Sequence, residues 1–228
     1  MNVRDVPLKE FVDSHHKALD EDLAELRRSN ESESVPLILA ETEEVLGLLT
    51  GLTRPKRILE IGTAHGYSAL FFAKKLPEAR ITTIERNPAM IVYAEEEFAG
   101  RKEGERIDLR IGDAGEILDG LVEELKDADE SEKFDFVFID AAKSHYREFL
   151  EQAEKICTGN AIVVCDNILL KGWIVQAEGP EAKRHRTNIK YMKQFLDYLK
   201  ERDDLETTIL TGGDGLAIIR FRNDKKFT

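Results

Sequence analysis

Two cysteines, Cys157 and Cys165, are all the thiol chemistry in 228 residues, and their spacing suits neither zinc nor a redox pair. Both read as reduced and structural, which points to a cytoplasmic protein. No apolar run approaches the ~18 residues of a membrane span. The N-terminal stretch MNVRDVPLKEFVDSHHKALDEDL is charged throughout and has no apolar signal core. The dinucleotide pattern G-x-G-x-x-G is absent. Positive charge is also in deficit: 33 Lys and Arg face 45 Asp and Glu, a formal net charge of -12. That argues against nonspecific nucleic-acid binding over the whole surface, though not against a local basic patch. No internal repeat or low-complexity segment is visible.

What is present is an alternation. Hydrophobic spacing predicts a helix over Pro7 to Arg28, a polar linker over Asn30 to Ser34, and a second helix from Pro36 through Leu49, ended near Gly51. Short apolar runs then alternate with helical patterns. The strands are Arg57 to Ile61, Arg80 to Glu85, Ile107 to Ile111, Phe134 to Ile139 and Ala161 to Cys165. Helices follow to Leu76, from Asn87 and Pro88 to about Ala99, to about Lys126, from Tyr146 to Cys157, and from Lys183 to Glu201. This is an α/β, doubly wound and mostly parallel sheet. Two last strands, Glu206 to Leu210 and Leu216 to Phe221, flank Thr211 to Gly215 and form a hairpin, so the last strand runs antiparallel. The expectation is one domain over 1–228, with a helical cap over 1–52 and the core over 53–228.

The chain is organised around RILEIGTAHGYS, Arg57 to Ser68. A strand runs into Gly62 and Gly66 and then into a helix start. The glycines let backbone approach a ligand, and the helix start offers unpaired N–H groups. Ligands in open α/β sheets gather beyond the carboxyl ends of the strands. Five strand ends deliver an acid there: Glu60, Glu85, Asp113, Asp140 and Asp166. Glu85 is placed to accept both hydroxyls of a ribose. Asp113 either caps its own helix or accepts from an adenine amino group. Asp140, Asp166 and Asn167 offer three oxygens to a hard divalent cation such as magnesium. Lys143 lies three residues past Asp140. A cation beside it disfavours the ammonium form and fits it to take a proton from a substrate hydroxyl.

EIGTAHGYS, the acid in TIERN, GDA, FIDAAKSHY and VVCDN together resemble the cation-dependent O-methyltransferases, the catechol and caffeoyl-CoA type. The resemblance covers about Val35 to Phe221. It implies a Rossmann-like class I methyltransferase fold, S-adenosylmethionine as cofactor and a homodimer. Carried over residue by residue, it places Glu60, Gly62 and Ser68 on the methionine side. Glu85 falls on the ribose, Asp113 and Ala114 on adenine, and Val35 over the cofactor from the N-terminal side. Asp140 contacts cofactor and metal, Asp166 and Asn167 complete the metal set, and Lys143 is the base. His65 departs from the family, where small or aliphatic residues are usual.

Within the family, VPLILAETEEVLGLL, DNILLKGWI and KRHRTNIKYMKQF beside TGGDGLAI look like the small bacterial enzymes that methylate 5-hydroxyuridine in tRNA to 5-methoxyuridine. Lys183, Arg184 and Arg186 are then candidate phosphate contacts. The alternative acceptor is a small catechol-like molecule. Trp173 either covers an aromatic acceptor or packs at a dimer contact.

Overall fold

The computed structural model of the protein describes residues 11–12, 14–32, 35–175 and 179–222. Helix α1 spans Glu21–Ser32 and α2 spans Ala40–Thr53. The alternating core follows as β1 (Arg57–Ile61), α3 (Tyr67–Lys75), β2 (Arg80–Glu85), α4 (Pro88–Ala99), β3 (Ile107–Ile111) and α5 (Ala114–Glu124). It continues through β4 (Phe134–Ile139), α6 (Tyr146–Ile156), β5 (Cys157–Cys165), α7 (Pro180–Arg184) and α8 (Arg186–Glu201). It closes with β6 (Leu205–Leu210) and β7 (Leu216–Phe221).

The seven strands lie in the order β3-β2-β1-β4-β5-β7-β6. All neighbours from β3 to β5 are parallel, and β7 runs antiparallel to both β5 and β6. This is the expected Rossmann-like class I methyltransferase architecture. Its central strands are buried on both faces, as a sheet covered by helices on two sides requires. Leu59, Ile61, Val137, Ile139, Val163 and Cys165 pack with α5, α6 and α8. Ile58, Phe136, Phe138 and Val164 pack on the opposite face with α3. Among the described residues no helix is long and apolar enough to cross a membrane.

The helical cap differs from expectation. Part of the span Pro7 to Arg28 lies outside the described residues, but Ser14 to Asp20 is not helical and α1 begins at Glu21. The reason is a cap: the Asp20 carboxylate accepts the Leu23 N–H at 2.9 Å, so the chain turns into the helix there. Phe11 and Leu19, apolar residues within that span, are exposed. At the other end α1 continues to Ser32, through the supposed linker, because Asn30 is buried. Pro36 to Leu39 then run as a non-helical strap, and α2 begins only at Ala40.

Strand β5 starts at Cys157 rather than Ala161. Its pairing to β4 slips between Phe134–Cys157 and Phe136–Ile162, an irregularity that takes up the extra residues of β5. The helix expected over Lys183 to Glu201 is broken at His185. Lys183 and Arg184 therefore sit in the last turn of α7, where the helix dipole favours cations, rather than at the start of a long helix.

Gly62 holds the turn after β1 with φ of 104°, and a Cβ there would lie 2.1 Å from the Asp140 carbonyl oxygen. Gly62→Ala is therefore expected to destabilise the fold by about 3 kcal/mol, from backbone strain and overpacking together. Urea denaturation of the ligand-free chain measures it. A loss below about 1 kcal/mol would mean the turn can move away from Asp140.

Candidate active site

The carboxyl ends of β1, β2, β4 and β5 open onto two adjoining cavities. The larger, about 530 Å³, is lined by Pro36 to Leu39, Gly62 to His65, Tyr67, Ser68, Asp140, Lys143 and Asn167, with Trp173, His185 and Asp214 at its rim. The smaller, about 270 Å³, takes in Glu85, Arg86, Gly112 to Gly115, Ala141, Ala142 and His145. Gly62, Ala64 and Asp140 border both, so one two-part ligand can run across the glycine turn.

Lys143 is the hub of the larger cavity. Its Nζ donates to Asp140 Oδ1 at 3.0 Å, to Asn167 Oδ1 at 3.0 Å and to Tyr146 Oη at 2.6 Å. Tyr146 is fully buried and in turn donates to the Asp166 carbonyl at 2.9 Å. Asp140 and Asp166 follow directly on the paired strand ends Ile139 and Cys165. Asp166 is 1 % exposed, and its Oδ1 accepts the Asn167 N–H at 2.6 Å. Its Oδ2 is buried with no partner among the described residues. Burial, and then the neighbouring Asp140, push the Asp166 carboxyl above the usual carboxylate range.

The Asp140 carboxylate and the Asn167 amide oxygen converge on a cationic nitrogen, and the buried Asp166 carboxyl at the next strand end has one oxygen left over among the described residues. This donor set fits a divalent cation that keeps waters of its own. No group of three or more His, Cys, Asp or Glu among the described residues could hold a metal. The set here draws its third oxygen from Asn167. That residue sits at φ of 57°, a backbone conformation asparagine tolerates better than most residues.

Glu60 is fully buried at the floor of the glycine turn. It accepts from Thr83 Oγ1 at 2.5 Å, and its Oε1 is unpaired among the described residues. Desolvation pushes this carboxyl up to about 7, against an ordinary 4.5. The folded chain therefore keeps a proton that the unfolded chain loses above pH 4.5. Stability contributed by Glu60 is expected to fall by about 3 kcal/mol as pH rises from 4.5 to 7, then to level off. Glu60→Gln, which keeps a partner for Thr83, is expected to remove that part of the slope. Denaturation of both ligand-free proteins at pH 5 and 7.5 decides it: parallel slopes would show that Glu60 ionises normally.

Glu85 is more occupied than the sequence implied. Its carboxylate accepts backbone N–H groups from Ala64 at 2.9 Å, Arg86 at 2.9 Å and Asn87 at 2.8 Å, so it braces the glycine turn from the end of β2. Asp113 caps α5 through the Gly115 N–H at 3.0 Å and meets Arg86 at 3.2 Å, and it borders the smaller cavity with Ala114. Val35 is not among the residues lining either cavity; the next four residues of its strap line the larger one. Lys183 and Arg184 are exposed on α7, and Arg186 opens α8. Only His185 from that run lines the cavity, its ring stacked on Trp173 with centroids 4.4 Å apart.

Tyr146 and Asp214 escaped the sequence reading. Tyr146 sits three residues after Lys143 in AAKSHY, a spacing that brings two side chains together at a helix start. Asp214 reaches the rim through the last hairpin, which no local pattern ties to the cavity.

The chain is similar to known proteins along most of its length. A catechol O-methyltransferase from Niastella koreensis is 30% identical over 183 residues, 77% of this chain and 78% of that protein. A catechol O-methyltransferase from Mycobacterium tuberculosis is 26% identical over 216 residues, 93% of this chain and 94% of that one. The solved structure of the O-methyltransferase TomG from Streptomyces achromogenes, in complex with SAM, superposes with a TM-score of 0.76. It is 28% identical, with 94% of this chain and 96% of that chain covered. The profile described as O-methyltransferase matches residues 13–222. Cavities, strand ends and sequence thus lead to one conclusion: this chain belongs to the O-methyltransferase family.

Proposed function

We propose that the protein moves a methyl group from S-adenosylmethionine to one of two neighbouring oxygens on a small, catechol-like acceptor, with a divalent cation held by Asp140, Asp166 and Asn167. The observation that carries this reading is the Lys143 ammonium, bonded at once to Asp140 and Asn167 in the cavity that the glycine turn enters. The buried Asp166 Oδ2, without a partner among the described residues, adds to it.

The cofactor's two-part shape matches the adjoining cavities. Its amino-acid end falls to Glu60, Gly62 and Ser68, and its nucleoside to Glu85, Asp113 and Ala114. When bound, it supplies an already activated methyl group. The cation, when bound, would lower the pKa of a chelated hydroxyl. The chain's own residues do the rest. Lys143 Nζ would first give up one of its own protons and then, as a neutral amine, take the acceptor's, while Tyr146 Oη at 2.6 Å fixes where that nitrogen points. The buried side chains of the turn, Thr63, His65 and Ser68, would give the bound cofactor a fixed wall to rest on.

A second reading, methylation of 5-hydroxyuridine in tRNA, is favoured by one observation. Lys183, Arg184 and Arg186 flank His185, whose ring lines the cavity, so a basic rim adjoins the acceptor side. Competition settles the acceptor: the enzyme, cofactor and magnesium are offered catechols and unmethylated tRNA in parallel. Catechol turnover is expected to dominate. Methylation confined to tRNA nucleosides, seen by mass spectrometry, would replace the first reading with the second.

A further inference from the structure

Helix α1 contributes no residue to the lining of the larger cavity, yet two of its side chains grip walls that do. Arg27 Nη1 donates to the carbonyl of Ile38 in the strap at 3.0 Å. Its Nη2 donates to Glu43 Oε2 at 2.5 Å, and its Nε to Tyr67 Oη at 3.3 Å. The guanidinium lies 4.7 Å over the Tyr67 ring, and Tyr67 Oη donates to the same Glu43 oxygen at 2.6 Å. Glu43 is buried, so this is a charge pair held away from water, with both donors on the same Glu43 oxygen. Three residues further along α1, Asn30 Oδ1 meets His65 Nδ1 at 3.0 Å, both residues buried. The His65 ring stacks on Tyr93 with centroids 4.2 Å apart.

We propose that Arg27 and Asn30 are positioning residues that set cofactor affinity, Arg27 by fixing the strap Pro36 to Leu39 and Tyr67, Asn30 by fixing the His65 side of the glycine turn. The inference rests on the cofactor reading above. The strap is non-helical from Pro36 to Leu39, and the side-chain anchor at Ile38 is the planar fork of Arg27. A wall held in place before binding need not be ordered at the moment of binding, so the ligand is held more tightly. A lysine at position 27 would keep the charge opposite Glu43. It would lose the fork that reaches Ile38, Tyr67 and Glu43 together.

The test is calorimetric titration of S-adenosylhomocysteine into the full chain and into Arg27→Lys and Asn30→Ala, with hydrogen exchange at Leu37 to Leu39 and denaturation of each ligand-free protein. Arg27→Lys is expected to raise Kd about tenfold and to speed exchange at the strap in the ligand-free state. In turnover, KM for the cofactor should rise by more than kcat falls. Should Arg27→Lys not fold, Asn30→Ala carries the same expectation for Kd. A Kd within about twofold of wild type, with only a lower denaturation midpoint, would overturn the inference and leave the network a purely structural one. Wild-type protein that binds no S-adenosylhomocysteine would overturn the cofactor reading and this inference with it.

Discussion

Lys143→Met is expected to lower kcat about 10³-fold while binding of S-adenosylhomocysteine survives. The side chain lies among four oxygens: Asp140 Oδ1, Asn167 Oδ1, Tyr146 Oη and, at 3.5 Å, the Asp166 carbonyl. A nitrogen so surrounded is held in place before any acceptor arrives. Methionine keeps its length and removes the proton acceptor. Lys143→Arg separates charge from basicity, because a guanidinium stays cationic at any working pH. The arginine variant is expected to lose nearly as much turnover as methionine. If it retains more than about a tenth of wild-type kcat, the lysine acts as a fixed charge and not as a base.

Removal of the divalent cation should have an effect of similar size. Turnover is expected to vanish in chelator and to return on adding magnesium. Asp166→Asn should raise the magnesium concentration for half-maximal rate by about 100-fold or more. The reasoning is geometric. Asp166 is 1 % exposed and gives one oxygen to its own chain and leaves the other without a partner among the described residues. An amide in its place removes the negative charge without changing volume. Turnover indifferent to chelator would exclude the cation and leave Lys143 acting unaided.

Much of this site was legible as a row of strand ends. Apolar runs such as Phe134 to Ile139 announce central strands, and the acid that follows each run must sit at the same edge of a parallel sheet. That logic located Glu60, Glu85, Asp113, Asp140 and Asp166 from pattern alone. It did not say what each acid touches. Glu85 turned out to accept three backbone N–H groups, one from Ala64 in the glycine turn and two from Arg86 and Asn87 directly after it in the chain. The cap was harder to read. The hydrophobic spacing from Leu8 to Leu26 looks helical, but Asp20 offers a side-chain oxygen to the Leu23 N–H, and a local capping bond outcompetes an extended period. Nor does any local signal tell that Arg27 belongs with Ile38 and Tyr67. Those partners are 11 and 40 residues away, and only packing brings them together.

The placing of β7 between β5 and β6 bears on how the chain matures during synthesis. Strand β5 is deep in the sheet, yet one of its edges finds a partner only when Ala217 to Arg220 arrive. Until the ribosome has released that segment, a long apolar strand offers unsatisfied N–H and C=O groups to any neighbouring chain. A nascent product stopped short of the hairpin is therefore a seed for aggregation rather than a weak enzyme.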